Sequence, residues 1–146
     1  MTARPVAIHQ RTEGTAEVVL RAGHVRRLYT RGSAKAILLA GSLPEVVFLN
    51  TAGGLTGGDR LDYALTTDRA TSATTQTAER AYRADEGRAE VSVRLSVTAG
   101  RLDWLPQETI LFDRAALTRR TRIDLGPAAE CLMVESIVLG RAAMGE

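Results

Sequence analysis

From Ala89 to Thr98 the chain alternates without a break. Val91, Val93, Leu95 and Val97 are apolar, and Ser92, Arg94, Ser96 and Thr98 between them are polar. Successive side chains of a strand point to opposite faces, so a period of two fits a half-buried strand and does not fit a helix. Asp59 to Thr67 repeats the pattern, with Leu61, Tyr63 and Leu65 inward and Asp62, Ala64 and Thr66 outward. Thr71 to Thr77 is rich in threonine, which favours pleated surfaces, and Leu117 to Leu125 alternates loosely. Glu130 to Leu139 is apolar on both faces, the pattern of a strand covered on both sides. Turn signals at Asp85-Glu-Gly87, Ala99-Gly100 and Gly126-Pro127 divide these runs. Helical signal is thin; only Ala78 to Tyr82 and Pro106 to Ile110 offer a turn or two. The expected fold is mainly β and layered, with many short strands in a β-helix-like or sandwich arrangement and few short helices. No internal repeat stands out and no linker divides the chain, so a single domain is expected over residues 1–146.

Charge and cysteine usage narrow the partners. Nineteen basic and seventeen acidic residues leave a net charge of +2, with the signs interspersed rather than gathered into the basic stripe of a nucleic-acid binder. The cluster Arg119-Arg120-Thr121-Arg122 is short and reads as a solvated strand face. A single cysteine, Cys131, excludes an intrachain disulfide and fits a reducing compartment. The N-terminal stretch Met1-Thr-Ala-Arg-Pro-Val lacks the apolar core of a signal peptide, and no apolar run reaches the length of a membrane span. A cytoplasmic protein with neither nucleic-acid nor membrane partners is expected.

The candidate chemistry begins behind the apolar run Val46-Val47-Phe48-Leu49. There Thr51-Ala-Gly-Gly-Leu-Thr-Gly-Gly-Asp59 places Gly53, Gly54, Gly57 and Gly58 within six positions. A phosphate-cradling loop needs a lysine after its last glycine; here Asp59 stands in that place, and an anion repels phosphate. Asp59 and Asp62 lie three apart across a loop-to-strand junction. A regular strand would send them to opposite faces. The glycines leave two outcomes open: Asp59 turns towards Asp62, making a weak site for a divalent ion, or it bonds its own turn while Asp62 faces solvent. Glu135 sits inside the most apolar run, and a buried carboxylate must be paired, hydrated or protonated. Either an arginine such as Arg141 pairs with it, or it lines a water-filled internal path. His9 and His24 are far apart and no paired-cysteine spacing occurs, so a tight zinc-like site is unsupported. No G-x-S-x-G elbow supports a nucleophilic hydrolase. Trp104 and Tyr82 read as core or interface anchors.

Four strings occur in order: Asn50-Thr-Ala-Gly-Gly-Leu-Thr-Gly-Gly-Asp-Arg60, Thr74-Thr-Gln-Thr-Ala-Glu-Arg-Ala-Tyr-Arg83, Leu102-Asp-Trp-Leu-Pro-Gln-Glu-Thr-Ile-Leu-Phe112 and Leu139-Gly-Arg-Ala-Ala-Met-Gly-Glu146. Together they closely resemble the urease accessory proteins of the UreD (UreH) family. The resemblance spans nearly the whole chain after a variable N-terminus. It implies a non-enzymatic maturation factor that binds apo-urease, recruits a UreF-like partner and through it a nickel-carrying, UreG-like GTPase. It also implies a largely β fold, and transient Ni2+ passing through an interior channel with no tightly bound cofactor. A homodimer within the complex is compatible with it.

By motif, Asp59 and Asp62 match two acidic positions of the nickel path, with aspartate at 62 where glutamate is commoner; Glu135 and Glu146 are further candidates for the same conduit. Gly53, Gly54, Gly57, Gly58, Thr75, Gln76, Tyr82, Trp104, Pro106, Gln107 and Arg141 are carried over as motif residues of structural weight. The competing expectation is a pure docking scaffold between urease and the UreF-like protein that never touches nickel. Family members are substantially longer and continue past the last string, so a truncated form is expected. Its exposed strand edges and apolar faces are expected to make the isolated chain aggregation-prone or marginally stable.

Overall fold

The computed structural model describes residues 11–141, 144 and 145. Eleven strands occur among them: β1 (Glu13–Arg21), β2 (His24–Gly32), β3 (Ala34–Leu39), β4 (Glu45–Asn50), β5 (Arg60–Thr67), β6 (Thr71–Gln76), β7 (Glu79–Ala81), β8 (Ala89–Trp104), β9 (Thr109–Leu111), β10 (Leu117–Met133) and β11 (Ile137–Leu139). The mainly β expectation holds, and the described residues contain no α-helix. No helix among them is long and apolar enough to cross a membrane.

The pairing resolves the sheet into a β-solenoid. Arg60 lies beside Glu90, and Glu90 beside Thr118, in parallel ladders of β5, β8 and β10. Ala73 lies beside Trp104, and Trp104 beside Met133, on the next face. Ala81, Leu111 and Leu139 line up on the third, through β7, β9 and β11. Each step to the next coil therefore advances the chain by roughly thirty residues, a spacing typical of stacked repeats. A partial coil lies below these three. In it β1 runs parallel to β5, β4 runs parallel to β6, and Leu55 bridges Ala81. The antiparallel strands β2 and β3 pair with β1 and β4 and finish that end.

Alternation fills the interior. Leu61, Tyr63 and Leu65 of β5 and Val91, Val93, Leu95 and Val97 of β8 are all buried, as their period of two predicts. Phe48 packs between Tyr63 and Trp104, with ring centroids 5.0 and 6.3 Å away. Full burial of aromatic and aliphatic side chains like these contributes about 1.5–3 kcal/mol each.

Several local expectations are corrected. Ala99-Gly100 does not end a strand; β8 runs through it and bends from one face of the solenoid to the next. Gly100 has φ of 78°, and a Cβ there would stand 2.6 Å from the backbone carbon of Arg69, in the turn between β5 and β6. Gly126-Pro127 is likewise a corner inside β10, where a bulge shifts the register between Leu125 and Ala128. Ala78–Tyr82 contains β7, and Pro106–Ile110 runs into β9, instead of either forming helical turns. The run Glu130–Leu139 is two strands, broken at residues 134–136, and its apolar residues are not covered on both sides: Leu132, Met133, Val134, Ile137, Val138 and Leu139 are exposed.

Candidate functional site

The glycine loop leads into β5 and is closed by Asp59. Asp59 is 4 % exposed; its Oδ1 accepts the Thr12 amide and its Oδ2 the Thr56 amide, each at 2.8 Å. Of the two outcomes left open by the sequence, Asp59 takes the one in which it bonds its own turn. It lies on the same side of β5 as buried Leu61 and Tyr63, whereas Asp62 lies on the opposite side. Asp62 faces Arg94 at 3.4 Å and borders a cavity of about 200 Å³ with Glu13, Arg31 and Arg60. The two aspartates are not brought together. Among the described residues no group of three or more His, Cys, Asp or Glu side chains could hold a metal ion.

The remaining motif residues tie neighbouring coils to one another. Gly54 leaves the space that the Tyr82 ring occupies, because a Cβ there would fall on the ring, and Gly53 lies exposed beside it. Gly57 and Gly58 run against the turn at residues 86–88, where the Gly58 amide donates to the Arg88 carbonyl at 3.0 Å. Thr75 Oγ1 accepts the Gln107 amide at 3.0 Å, and Thr74 Oγ1 donates to the Leu105 carbonyl at 2.7 Å. These bonds strap β6, which ends at the exposed Gln76, to the stretch through half-buried Pro106 that follows β8. Tyr82 stacks on Phe112 at 5.0 Å, and the Arg141 guanidinium lies 4.6 Å over the Phe112 ring. Arg141 is thus engaged with an aromatic ledge and is not the partner of Glu135. Glu146 and His9 lie outside the described residues.

Glu135 is held by other groups. Trp104 Nε1, Arg119 Nη2 and Thr121 Oγ1 donate to its Oε1 at 3.1, 3.0 and 2.9 Å. The Glu135 and Arg119 side chains are only 23 % and 17 % exposed. Burial pushes the Glu135 carboxyl upward, but the bonds from Arg119, Trp104 and Thr121 outweigh it and hold the group below the ordinary carboxylate range.

The solenoid register explains how Arg119 reaches this place. It stands in line with Leu61 and Val91, and Thr121 stands in line with Tyr63 and Val93. In the third full coil, polar side chains therefore take the interior positions that are apolar one coil earlier.

A second carboxylate shares the neighbourhood. Burial pushes Glu79 above its ordinary value against the Asn50 side-chain bond and the charges of Arg119 and Arg80; Asn50 Nδ2 donates to Glu79 Oε1 at 3.2 Å. Burial, then Glu79, push the Tyr63 phenol well above its usual range, and Arg119 opposes them. The interior thus carries two acids, Glu79 and Glu135, that act on one arginine. Sequence reasoning missed Glu79 and misplaced Arg119. The signal for Arg119 was its parity with Leu117, Ile123 and Leu125; Glu79 had none beyond its place in the Thr74–Arg83 string.

A family model described as UreD urease accessory protein matches residues 13–146. A urease accessory protein UreD of Cereibacter sphaeroides (strain ATCC 17025 / ATH 2.4.3) is 61 % identical over 146 residues, covering 94 % of this chain and 53 % of that protein. The proteins of the same name from Paracoccus denitrificans (strain Pd 1222) and Jannaschia sp. (strain CCS1) are 54 % and 53 % identical over 142 residues, covering 51 % and 53 % of their own lengths. The chain spans about half the length of the curated relatives it matches.

Proposed function

The chain belongs to the UreD urease accessory protein family, and on that premise we propose that it serves urease maturation as a non-catalytic scaffold whose interior acids pass nickel towards the apo-enzyme. The observation that carries this reading is Glu135, an ionised carboxylate turned into a solenoid interior with all three observed donors on one oxygen. Its Oε2 lies outside that donor set. A carboxylate oxygen binds a borderline divalent ion weakly, whereas a thiolate cluster would trap it. Arg119 beside it disfavours a resident cation, which suits passage better than storage. Glu79 supplies a second oxygen ligand in the same field, and Glu146 is a further candidate. Asp59 contributes by holding the glycine loop, and Asp62 by its acid on the outer face. The partners in this reading are the urease structural subunits and UreF- and UreG-like proteins, in the cytoplasm.

A second reading, a docking scaffold that nickel never enters, is favoured by the Tyr82–Phe112–Arg141 ledge. Exposed aromatic and arginine side chains are the residue types that dominate binding energy at interfaces. Co-expression of this chain with urease and the other accessory proteins separates the two readings. Under transit, Glu135→Gln lowers the nickel content and activity of urease about ten-fold while co-purification with urease is unchanged. Under docking, Tyr82→Ala lowers binding and activation together and Glu135→Gln lowers neither. Full activation with Glu135→Gln would sink the transit reading.

A further inference from the structure

We propose that Arg119 is the releasing group of the interior site: its guanidinium competes with a divalent ion for Glu135, so that nickel moves on instead of staying. The inference rests on the transit reading above and assigns within it a residue that is not itself a ligand.

Its placement is specific. Within the cluster Arg119-Arg120-Thr121-Arg122, Arg120 and Arg122 stand in line with Ser92 and Arg94 on the outer side of β8, and the Arg122 side chain is 74 % exposed. Arg119 stands in line with buried Val91, and its side chain is only 17 % exposed. Taking a guanidinium out of water costs desolvation. An apolar residue would fill this column as Leu61 and Val91 do in the coils before it.

The bonding separates a holder from a displaceable group. Trp104 Nε1 of β8 and Thr121 Oγ1 of β10 both donate to Glu135 Oε1. Arg119 adds a single N–H, from Nη2, to that same oxygen. A guanidinium carries five N–H donors and frequently meets a carboxylate with two parallel bonds. Among the described residues Arg119 makes one. It can withdraw while Trp104 and Thr121 keep the carboxylate in place, and Oε2 is outside the donor set from the start.

Charge gives the direction of the effect. Glu135 and Arg119 form a neutral pair, so an ion arriving at Oε2 meets a guanidinium as well as a carboxylate. Like charges repel more strongly in a part-buried place than in water. Without Arg119 the same ion meets an uncompensated carboxylate and stays longer. Glu79, on which Arg119 also acts, gives the displaced guanidinium a second acid to turn to. Once the ion leaves, Arg119 recovers Glu135.

The purified chain, kept dilute, is equilibrated with Ni2+ and desalted, and its nickel content is measured. Activation is followed in cells that co-produce urease and the other accessory proteins. Arg119→Gln, which keeps an N–H for Glu135, is expected to retain about ten-fold more nickel than the unmodified chain. It should also lower activation and leave the circular dichroism spectrum unchanged. Arg119→Lys, which keeps the charge, and Arg120→Gln, on the outer face, are expected to retain no more than the unmodified chain. Adding Glu135→Gln to Arg119→Gln is expected to abolish the extra nickel, which a merely structural role for Arg119 would not produce. Should Arg119→Gln fail to fold, Arg119→Met, which matches its apolar column, takes its place with the same expectations. Unchanged retention in Arg119→Gln, extra nickel that survives Glu135→Gln, or equal retention by the Gln and Lys variants would each overturn the proposal. The transit reading fails separately, through full activation with Glu135→Gln. Arg119 fails alone when that variant activates poorly and Arg119→Gln retains nothing extra.

Discussion

Asp59 closes the glycine loop by accepting two backbone amides from different segments, Thr12 and Thr56. Bonds to a charged acceptor contribute about 1.5–3 kcal/mol, and a buried amide left unpaired costs a similar amount. Asp59→Ala should lower unfolding stability by about 2–4 kcal/mol in urea titration, and Asp59→Asn by less, because one carbonyl acceptor survives. A neutral Asp59→Ala would remove the carboxylate from this role. Glu135 and Glu79 should show opposite pH dependence. The folded-state pKa of Glu135 is depressed, so its stabilisation is present above about pH 4.5 and is lost as pH falls through the lower folded value. That of Glu79 is raised, so its relative stabilisation is present in acid and is lost as pH rises from about 4.5 towards the raised value. Glu79→Gln, which keeps an acceptor for Asn50, should therefore raise the urea midpoint at neutral pH, and Glu135→Gln should flatten the acid limb of the curve. Which carboxylates mattered was partly legible in the sequence, since Asp59 and Glu135 stood in unusual company. Their partners were not: Arg119 is separated from Glu135 by most of a strand, and an arginine in a basic cluster reads as solvated until the register places it indoors.

Bends decide the element scale. β8 turns its corner at Gly100 with a left-handed backbone that almost touches Arg69, so Gly100→Ala combines a positive-φ penalty with a clash against main chain. About 2–4 kcal/mol of lost stability is expected by thermal or urea unfolding. Gly53 has nearly the same φ, 79°, but a Cβ added there would meet nothing within 4 Å, and Gly53→Ala should cost only about 1 kcal/mol. Equal effects at the two glycines would show that crowding at the corner does not matter. The contrast also explains which elements could be read beforehand. β5 and β8 declared themselves because one face is wet and the other dry. The corners at Gly100 and Gly126 used the same residues as chain reversals, and nothing local separates a bend within a strand from a turn between two. β7 and β9 are three residues each, too short for any period to register.

At the scale of the molecule, the coils repeat in space without repeating in sequence. Leu61, Val91 and Arg119 occupy equivalent positions, as do Tyr63, Val93 and Thr121; the mainly β, layered class was legible, and of the two arrangements expected, β-helix-like or sandwich, the parallel register is what selects the first. Stability in such a stack is a sum of coil terms and nearest-neighbour interfaces, which predicts a gradient rather than uniform protection. β8 is paired on both edges and buries Val91, Val93, Leu95 and Val97, so its amides should exchange slowest and approach the global unfolding rate. β11 is exposed at all three residues and, among the described residues, held along one edge, so it should exchange fastest among the paired strands, with the far half of β10 next. The same open coil should drive self-association of the isolated chain, because an apolar strand edge recruits whatever strand it meets. Light scattering should rise with protein concentration and fall on Ile137→Lys, while the exchange rate of β8 stays unchanged. If scattering is insensitive to that lysine but falls on Leu28→Lys, association runs through β2, and the charged start of the stack rather than its apolar end is the reactive one.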